Sequence, residues 1–375
     1  MNGTLSTPLL TLLATAAALS AQRTWIVDAA GGPGVDFTDL PPAVAAAVDG
    51  DAIEVRRRGA TAYQTAHVSK ALRIVGVGSA VPLQGAPLTM HDVGVGKTCV
   101  VAGFDGPAGQ VLITARNCAG TVVLRWLGGL ASGVSLQIFD CAQVAIEESR
   151  LEGARSEALF IARSTIVCTG CSVVGLDTLT PTASAALGIQ AVDTYLTLNQ
   201  TVVAGGRNLA TPSLSAAALR AFAGLSVATG RSWLAGGGPL ACEVLPNYVS
   251  LLVQDPATLL TGSLGPGLTM VSAQVPSLTV TNNPPRTAAQ YRGSAQDTVA
   301  VVAGLPHAPT PTPFGSVWFD PAGAVLLGVV VANTIGDATL PLPFATPPTS
   351  RPIVMQALVF RAGTALVSTP SVALL

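Results

Sequence analysis

Short apolar runs separated by polar corners recur through the middle of the chain. Between about residues 70 and 280, each unit has one short run, a small or polar corner and a second run, with apolar residues at alternate positions. Six such units span residues 109–124, 133–146, 158–167, 187–198, 218–227 and 250–260. No helical period separates the runs, so the pattern predicts β-strands throughout this region.

The corner residues give the length of the repeat. Asn117, Asp140, Ser164, Asp193 and Asp255 follow one another at about 23 to 31 residues, or at twice that distance. This period is typical of stacked units, in which one unit cannot bury its apolar face alone. The absence of a helical pattern between the runs excludes an α-solenoid and a βαβ sheet, so the prediction is an all-β parallel β-helix.

The segment before the repeat predicts a cap for its first coil. A strand at Trp25–Val27 and a Gly-Pro-Gly loop precede the sequence Asp39-Leu-Pro-Pro. Thr38 or Asp39 is suited to cap a short helix that has proline in its first turn. We expect a helix over Ala43–Val48 to cover the first coil, because the end of a strand column is otherwise an unpaired edge.

The pattern changes after about residue 280. Asn282-Asn-Pro-Pro285 reads as a boundary, and the proline-rich stretch that begins at Pro306 reads as an extended loop. Six later runs predict antiparallel strands in a β-sandwich of about 85 residues, at 299–303, 316–319, 324–331, 338–342, 353–360 and 365–367. The predicted organisation is therefore a signal peptide (1–22), a β-helix (23–282) and a C-terminal β-sandwich (283–375).

The first 22 residues are typical of a secretory signal. A short leucine- and alanine-rich core, from Leu9 to Leu19, precedes the small residues Ser20 and Ala21. No later apolar stretch reaches the roughly 18 residues of a membrane span. We expect an exported chain, secreted or held at the cell surface, with no transmembrane segment after cleavage.

Export makes disulfides possible, and six cysteines are present: Cys99, Cys118, Cys141, Cys168, Cys171 and Cys242. The spacing of Cys168 and Cys171 matches half of a zinc or redox site, but no second pair or nearby histidine completes it. For most of the six we favour small side chains buried in the core. The sequence leaves their pairing open.

Charge excludes one class of partner. The 375 residues include 19 Lys and Arg against 20 Asp and Glu, a net charge of -1, and only 10% of residues are charged. A nucleic-acid-binding protein needs a basic surface, so we expect no nucleic acid partner. The 49% content of hydrophobic residues excludes a disordered chain.

The N-terminal part resembles a known superfamily. The stretch Val48-Asp-Gly-Asp-Ala-Ile-Glu-Val55, then Tyr63, then Lys70-Ala-Leu-Arg-Ile-Val-Gly76 resembles the pectate-lyase-like right-handed β-helix superfamily, in particular its secreted bacterial members. The resemblance covers roughly residues 24 to 280 and implies a right-handed coil. One departure is the longer, basic turn Arg56–Tyr63, which stands where members often have Pro-Gly-Thr-Tyr.

The resemblance also indicates where an active site would lie. Lyases of this superfamily hold Ca²⁺ with several carboxylates and use Arg or Lys as a base, whereas its hydrolases use clustered aspartates. The one dense acidic region here contains Glu147, Glu148 and Arg150, and the coil spacing places Arg125 near the two glutamates. The alternative is that these residues form ion pairs between coils, each worth less than about 1 kcal/mol at the surface.

The function we favour from the sequence is a non-enzymatic, exported β-helix. It would act as a rigid scaffold or as a rod that binds a glycan or a cell-surface protein, with no cofactor and no metal. Trp126 and Trp233 are candidates for stacking on a sugar ring, although packing between coils is the more common role. The first alternative is a polysaccharide lyase or glycoside hydrolase, in which Ca²⁺ is possible, and the second is a self-assembling adhesin or surface-layer component.

Overall fold

The computed structural model describes residues 22–375 except 79, 107–109, 129–134, 154–155, 223–224, 246–247, 249, 284–285, 313–314, 343–351, 362–363, 369 and 375. The predicted signal peptide therefore lies outside the described residues, apart from Gln22. Strands dominate the fold, and most of them up to residue 272 pair in parallel. The all-β prediction is confirmed at this level.

A single short α-helix and 26 strands make up the first part of the described chain. The helix, α1, spans Leu40–Ala46. The strands, in chain order, are β1 (Thr24–Val27), β2 (Ala52–Arg56), β3 (Tyr63–Gln64), β4 (His67–Val68), β5 (Arg73–Val77), β6 (Val81–Gln84), β7 (Leu88–His91), β8 (Thr98–Ala102), β9 (Phe104–Asp105), β10 (Val111–Arg116), β11 (Thr121–Arg125), β12 (Ser135–Phe139), β13 (Gln143–Glu147), β14 (Arg150–Gly153), β15 (Glu157–Ala162), β16 (Thr165–Thr169), β17 (Ser172–Gly175), β18 (Leu187–Val192), β19 (Thr194–Asn199), β20 (Val202–Ala204), β21 (Leu219–Ala221), β22 (Leu225–Gly230), β23 (Trp233–Val244), β24 (Ser250–Gln254), β25 (Leu259–Leu264) and β26 (Leu268–Ser272).

Most of these strands form two long parallel sheets that the chain visits in turn, and β3, β6 and β9 form a third, three-stranded parallel sheet. The first sheet has the order β1-β2-β5-β8-β11-β13-β16-β19-β22-β24-β26. The second has the order β14-β17-β20-β23-β21-β18-β15-β12-β10-β7-β4, with β25 also paired to β23. The 12-residue strand β23 pairs with β20 near its start and with β21 near its end, so it joins the two parts of this sheet. One passage from β13 through β14 and β15 to β16 is one coil, which makes the arrangement solenoid-like and compatible with a β-helix.

Helix α1 covers the N-terminal end of the solenoid and is capped by Asp39, both as predicted, but it ends two residues before the predicted Val48. Asp39 caps it, with its carboxylate accepting a hydrogen bond from Leu40 N at 2.8 Å, and Leu40, Ala43 and Val44 are buried. Lys70 Nζ donates to the carbonyl oxygens of Val44, Ala45 and Ala47 at 2.6–3.0 Å. Because Lys70 binds the carbonyls at the helix C-terminus, the helix ends at Ala46 rather than at Val48.

Each coil turns at residues in the left-handed conformation. One row of corners, between the second sheet and the first, has positive φ at Asp92, Asn117, Asp140, Arg163 and Asp193. A second row, where the chain leaves the first sheet, has positive φ at Gly103, Trp126, Glu148, Gly170, Gln200 and Arg231. Among residues other than glycine, Asn and Asp tolerate this conformation best, so their spacing in the sequence indicates most of the first row, whereas the mixed residues of the second row give no such signal. Of the predicted corners, Ser164 is wrong by one residue, because Arg163 makes the bend. Asp255 follows β24, where the chain leaves the first sheet, and its backbone is not left-handed.

The residue after each bend points inward and connects neighbouring coils. Ser164 Oγ donates to Ala162 O at 2.7 Å in its own coil and accepts from Cys141 N at 3.0 Å in the preceding one. The same two contacts recur along the second corner row at Ser149, Thr201 and Ser232. Thr258 likewise accepts from Ser232 N, but its hydroxyl donates to Thr229 O in the preceding coil. We call these stacked, inward-pointing side chains the inward ladders. They provide hydrogen-bond partners for buried backbone groups that have none in the β-sheet because of the turn.

The cysteines belong to the same interior. All six are buried and carry free thiols. Cys118, Cys141 and Cys171 stand in the inward ladders, and each donates to the carbonyl two residues before it at 3.2–3.4 Å. Burial raises the pKa of Cys99, Cys171 and Cys242 to about 12. Cysteine thus takes the place of serine or threonine in these positions, which agrees with the core role we favoured.

The rest of the described chain forms antiparallel sheets, here called the C-terminal module. Its strands are β27 (Ser277–Asn283), β28 (Arg286–Arg292), β29 (Thr298–Gly304), β30 (Pro306–Thr312), β31 (Gly315–Phe319), β32 (Val325–Val331), β33 (Asp337–Pro341), β34 (Pro352–Arg361), β35 (Thr364–Val367) and β36 (Ser371–Leu374). The sheet β27-β28-β33 and the sheet β32-β29-β34-β35, with β36 on β34, share an apolar core. The predicted antiparallel strands are confirmed, but 306–312 pairs with β31 instead of forming a loop.

The inward ladder generates a testable prediction. Replacement of Ser164 by alanine leaves Cys141 N and Ala162 O without their buried partner, so we expect the free energy of unfolding to fall by about 1–3 kcal/mol. Ser164→Cys should lose less, because the chain itself uses cysteine at the equivalent positions Cys118 and Cys141. Urea denaturation of the two variants measures the difference, and equal losses would contradict a hydrogen-bonding role.

Candidate functional site

Arg125 and Glu147 lie side by side in neighbouring coils. Strands β11 and β13 pair in parallel with Arg125 directly opposite Glu147. Arg125 Nε is 3.1 Å from Glu147 Oε2, but the N–H is not aimed well enough to make a hydrogen bond, so the contact is an ion pair. The exposed fractions of the two side chains are only 8% and 7%.

Glu148 extends this pair to the surface. It follows Glu147 at a left-handed bend with φ 46°, so its side chain turns away from the strand and is 51% exposed. Arg125 Nη2 lies 3.8 Å from Glu148 Oε1. The indole of Trp126 donates from Nε1 to Glu148 Oε2 at 2.5 Å, and the Arg125 guanidinium lies 4.8 Å from the centre of the Trp126 ring. The prediction that coil spacing places Arg125 close to Glu147 or Glu148 is confirmed by these distances.

Arg150 contacts a carboxylate of its own strand. At the start of β14, its Nε and Nη2 lie 2.7 and 2.5 Å from Glu152 Oε1. The Arg150 side chain is about half exposed, whereas that of Glu152 is largely buried. The four candidates therefore form one buried pair, Arg125–Glu147, with Glu148 and Arg150 on the surface beside it.

Part of the outer face of the first sheet is covered by the C-terminal module. Val100, Val123, Ala145 and Val167 form a column on this face and pack against Trp318 and Phe319 of the module, together with Val302, Val317 and Val354. Gln143 Nε2 also donates to Trp318 O at 3.4 Å. A second outward column on the same face, from Arg125 and Glu147 through Thr169 to Asn199, is buried as well.

An open depression of about 850 Å³ lies beside this covered face, along the second row of corners. Its lining includes Trp126, Glu148 and Gln200 from the bends and Arg57, Asp105 and Arg150 from neighbouring segments. The Trp126 side chain is nearly half exposed. An exposed indole beside hydrogen-bonding and charged groups offers stacking and polar contacts to a ligand at the surface.

Trp233 has a different environment. Its side chain is 44% exposed, and its Nε1 donates to Thr261 Oγ1 at 2.9 Å in the next coil. It does not line the depression. The two tryptophans that the sequence indicated as candidates are thus separate, each hydrogen-bonded to a neighbouring coil.

Two further observations concern the described part of the chain. Within it, no group of three or more His, Cys, Asp or Glu side chains is placed to hold a metal ion. The described helices include none that is both long enough and apolar enough to cross a membrane. Comparisons with protein-family models and with curated proteins found no match to this chain.

Sequence reasoning missed two features of this region. Trp126 is a bend residue with φ 51°, a conformation rare for an aromatic side chain, and no sequence signal indicates it. Thr169 and Asn199 continue the column of Arg125 and Glu147 but sit in β16 and β19 with ordinary strand patterning. They could be identified from the sequence only by aligning the coils on their inward apolar residues, which places Thr169 and Asn199 in register with Glu147.

The buried ion pair predicts unequal roles for the adjacent glutamates. Glu147→Gln leaves the Arg125 charge buried without its carboxylate, so we expect a loss of about 3–5 kcal/mol in the free energy of unfolding. Glu148→Gln, on an exposed carboxylate, should cost less than about 1 kcal/mol. Chemical denaturation of both variants at neutral pH checks this, and a small effect of Glu147→Gln would show that the pair is not desolvated.

Proposed function

We propose that this chain is an exported, non-enzymatic protein whose solenoid is a right-handed parallel β-helix of the pectate-lyase-like type. It acts as a rigid rod that presents a binding surface to a glycan or to a cell-surface protein. The observation that carries the proposal is the depression around Trp126, where an exposed indole is held in place beside Glu148.

The geometry around Trp126 favours recognition of a neutral, hydroxyl-rich ligand. The hydrogen bond to Glu148 fixes one edge of the indole and leaves the ring partly open to solvent. An aromatic face of this kind stacks on the apolar face of a sugar ring, while neighbouring amide, carboxylate and guanidinium groups bond to hydroxyls. The left-handed backbone at Trp126 and Gln200 belongs to the coil stack, so the surface is formed before a ligand binds.

The burial of Arg125 favours this function over a lyase or hydrolase. As the base of a lyase, the arginine would have to reach a substrate, yet its side chain is 8% exposed and is paired with Glu147. The remaining candidates, Glu148 and Arg150, contact Trp126 and Glu152 respectively. A lyase with Ca²⁺ at this region stays the alternative, and product release from a polysaccharide would establish it.

A glycan array screened with the purified chain tests the proposed binding surface. For a glycan that binds, we expect Trp126→Ala to weaken affinity by about tenfold or more, because the stacking ring is lost. Trp233→Ala is the matched control, since Trp233 has similar exposure but lies outside the depression. Equal loss in both variants, or none in either, would place the binding surface elsewhere.

The same samples test the enzymatic alternative. Incubation with pectate and alginate, with and without Ca²⁺, should give no rise in the absorbance of unsaturated products. Release of such products by the wild-type chain, and its loss in a Glu148→Gln variant that remains folded, would overturn the non-enzymatic proposal.

A further inference from the structure

The two ends of the solenoid differ in how their apolar interior is covered. At the N-terminal end, α1 buries Leu40, Ala43 and Val44 against the first coil. At the other end, β25 and β26 form the last coil, and each has a paired strand on one side only among the described residues. The final coil therefore presents two strand edges and the interior between them.

The inward column of the first sheet shows the loss of cover directly. Val227, Leu252 and Met270 are register partners in three successive coils. Their exposed fractions are 2%, 1% and 49%. The same holds for Leu234 and its partner Leu260, which are fully and partly buried respectively. Met270 thus occupies a core position that lacks the next coil.

This end also lacks the usual protection of an open strand edge. Natural sheets guard exposed edges with charged residues, above all lysine, because an unguarded edge pairs with other strands. No charged residue occurs between Asp255 and Arg286, a stretch that includes both β25 and β26. The edge strands carry exposed apolar side chains instead, at Leu259, Met270 and Val271.

The segment that follows β26 runs back along the solenoid instead of across its end. Ala273 N donates to Gln254 O at 3.0 Å, and Val275 N donates to the Asp255 carboxylate at 2.9 Å, both in the preceding coil. The chain then enters the C-terminal module, whose apolar contacts are with the outer face of the first sheet. Among the residues that the structure describes, no segment of the chain covers the last coil.

We propose that the C-terminal end of the solenoid is a dimer interface, on which a second copy of this chain stacks end to end about a two-fold axis. The axis passes beside Met270, the middle residue of β26, so that the two β26 strands pair antiparallel. In this register Thr269 of one copy lies opposite Val271 of the other. The uncovered Met270 and Leu260 side chains of both copies then bury one another, as the next coil would.

A second copy fits this end for two physical reasons. Two identical ends that carry no charge meet without like-charge repulsion, and residues 256–285 carry none. A two-fold contact is also closed, so that it satisfies both strand edges and leaves none for further growth. A repetitive head-to-tail stack is excluded by α1, which covers the opposite end.

Sedimentation equilibrium of the purified chain at micromolar concentrations tests the proposal. We expect a dimer, and we expect Met270→Lys to raise its dissociation constant by about tenfold or more, because a lysine would be buried at the centre of the contact. The lysine reaches solvent in the monomer, where residue 270 is half exposed. Circular dichroism and thermal unfolding verify that the variant stays folded.

Two control variants separate this interface from other exposed apolar sites. Val329→Lys alters the exposed edge strand β32 of the module, and Leu179→Lys alters an exposed loop between β17 and β18. Both should dimerise as the wild type does. Loss of the dimer in Val329→Lys but not in Met270→Lys would move the interface to the module and overturn the proposal, as would a monomeric wild type or growth beyond the dimer.

Cross-linking tests the register independently. An equal mixture of Thr269→Cys and Val271→Cys chains should form more disulfide-linked dimer under mild oxidation with diamide than either variant alone, since the two positions face each other only across the two-fold contact. The six native thiols are buried and leave the background low. No excess of mixed dimer would contradict antiparallel pairing of the β26 strands at this register.

Discussion

Parallel pairing between successive coils is the interaction on which the rest of this structure depends. Each inner strand of the first sheet takes its backbone partners from the coils before and after it, as the register through Val122, Val144 and Ile166 shows. This pairing requires every coil to place its strands in the same register with the preceding coil. The left-handed bends and the inward-pointing residues that follow them keep this register. The repeat aligns equivalent residues of successive coils in the core, at the corners and on the outer faces. It therefore also fixes the position of every candidate side chain.

Apolar alternation and period were sufficient to predict the parallel strands, because each inward residue is buried by its neighbours regardless of its identity. The corners were predictable where Asn or Asp makes the bend, as at Asn117 and Asp140, and not where arginine, glutamine or tryptophan does so. Bends at Asn or Asp reflect the local preference of these residues for the left-handed conformation. Bends at arginine, glutamine or tryptophan are imposed by the register with the adjacent coil. The exact end of α1 was missed because Lys70, 23 residues beyond Ala47, binds its last carbonyls.

The candidate site shows the same division between local and distant causes. Proximity of Arg125 to Glu147 and Glu148 follows from one coil of spacing, so the sequence was enough to predict it. Their burial is not visible in the local sequence. On the same face of the sheet, Val123 and Ala145 pack against Trp318 and Phe319, which lie far along the chain. Because no pattern near Arg125 indicates this packing, the acidic region alone predicts an accessible arginine.

The column Val100, Val123, Ala145 and Val167 has a mechanical consequence. It ties four successive rungs of the first sheet to the C-terminal module, so those rungs cannot separate without also breaking the contact with Trp318 and Phe319. Solenoids otherwise fray from their tips, one rung at a time. This lateral contact opposes fraying, so the four rungs that it joins should be among the last to open.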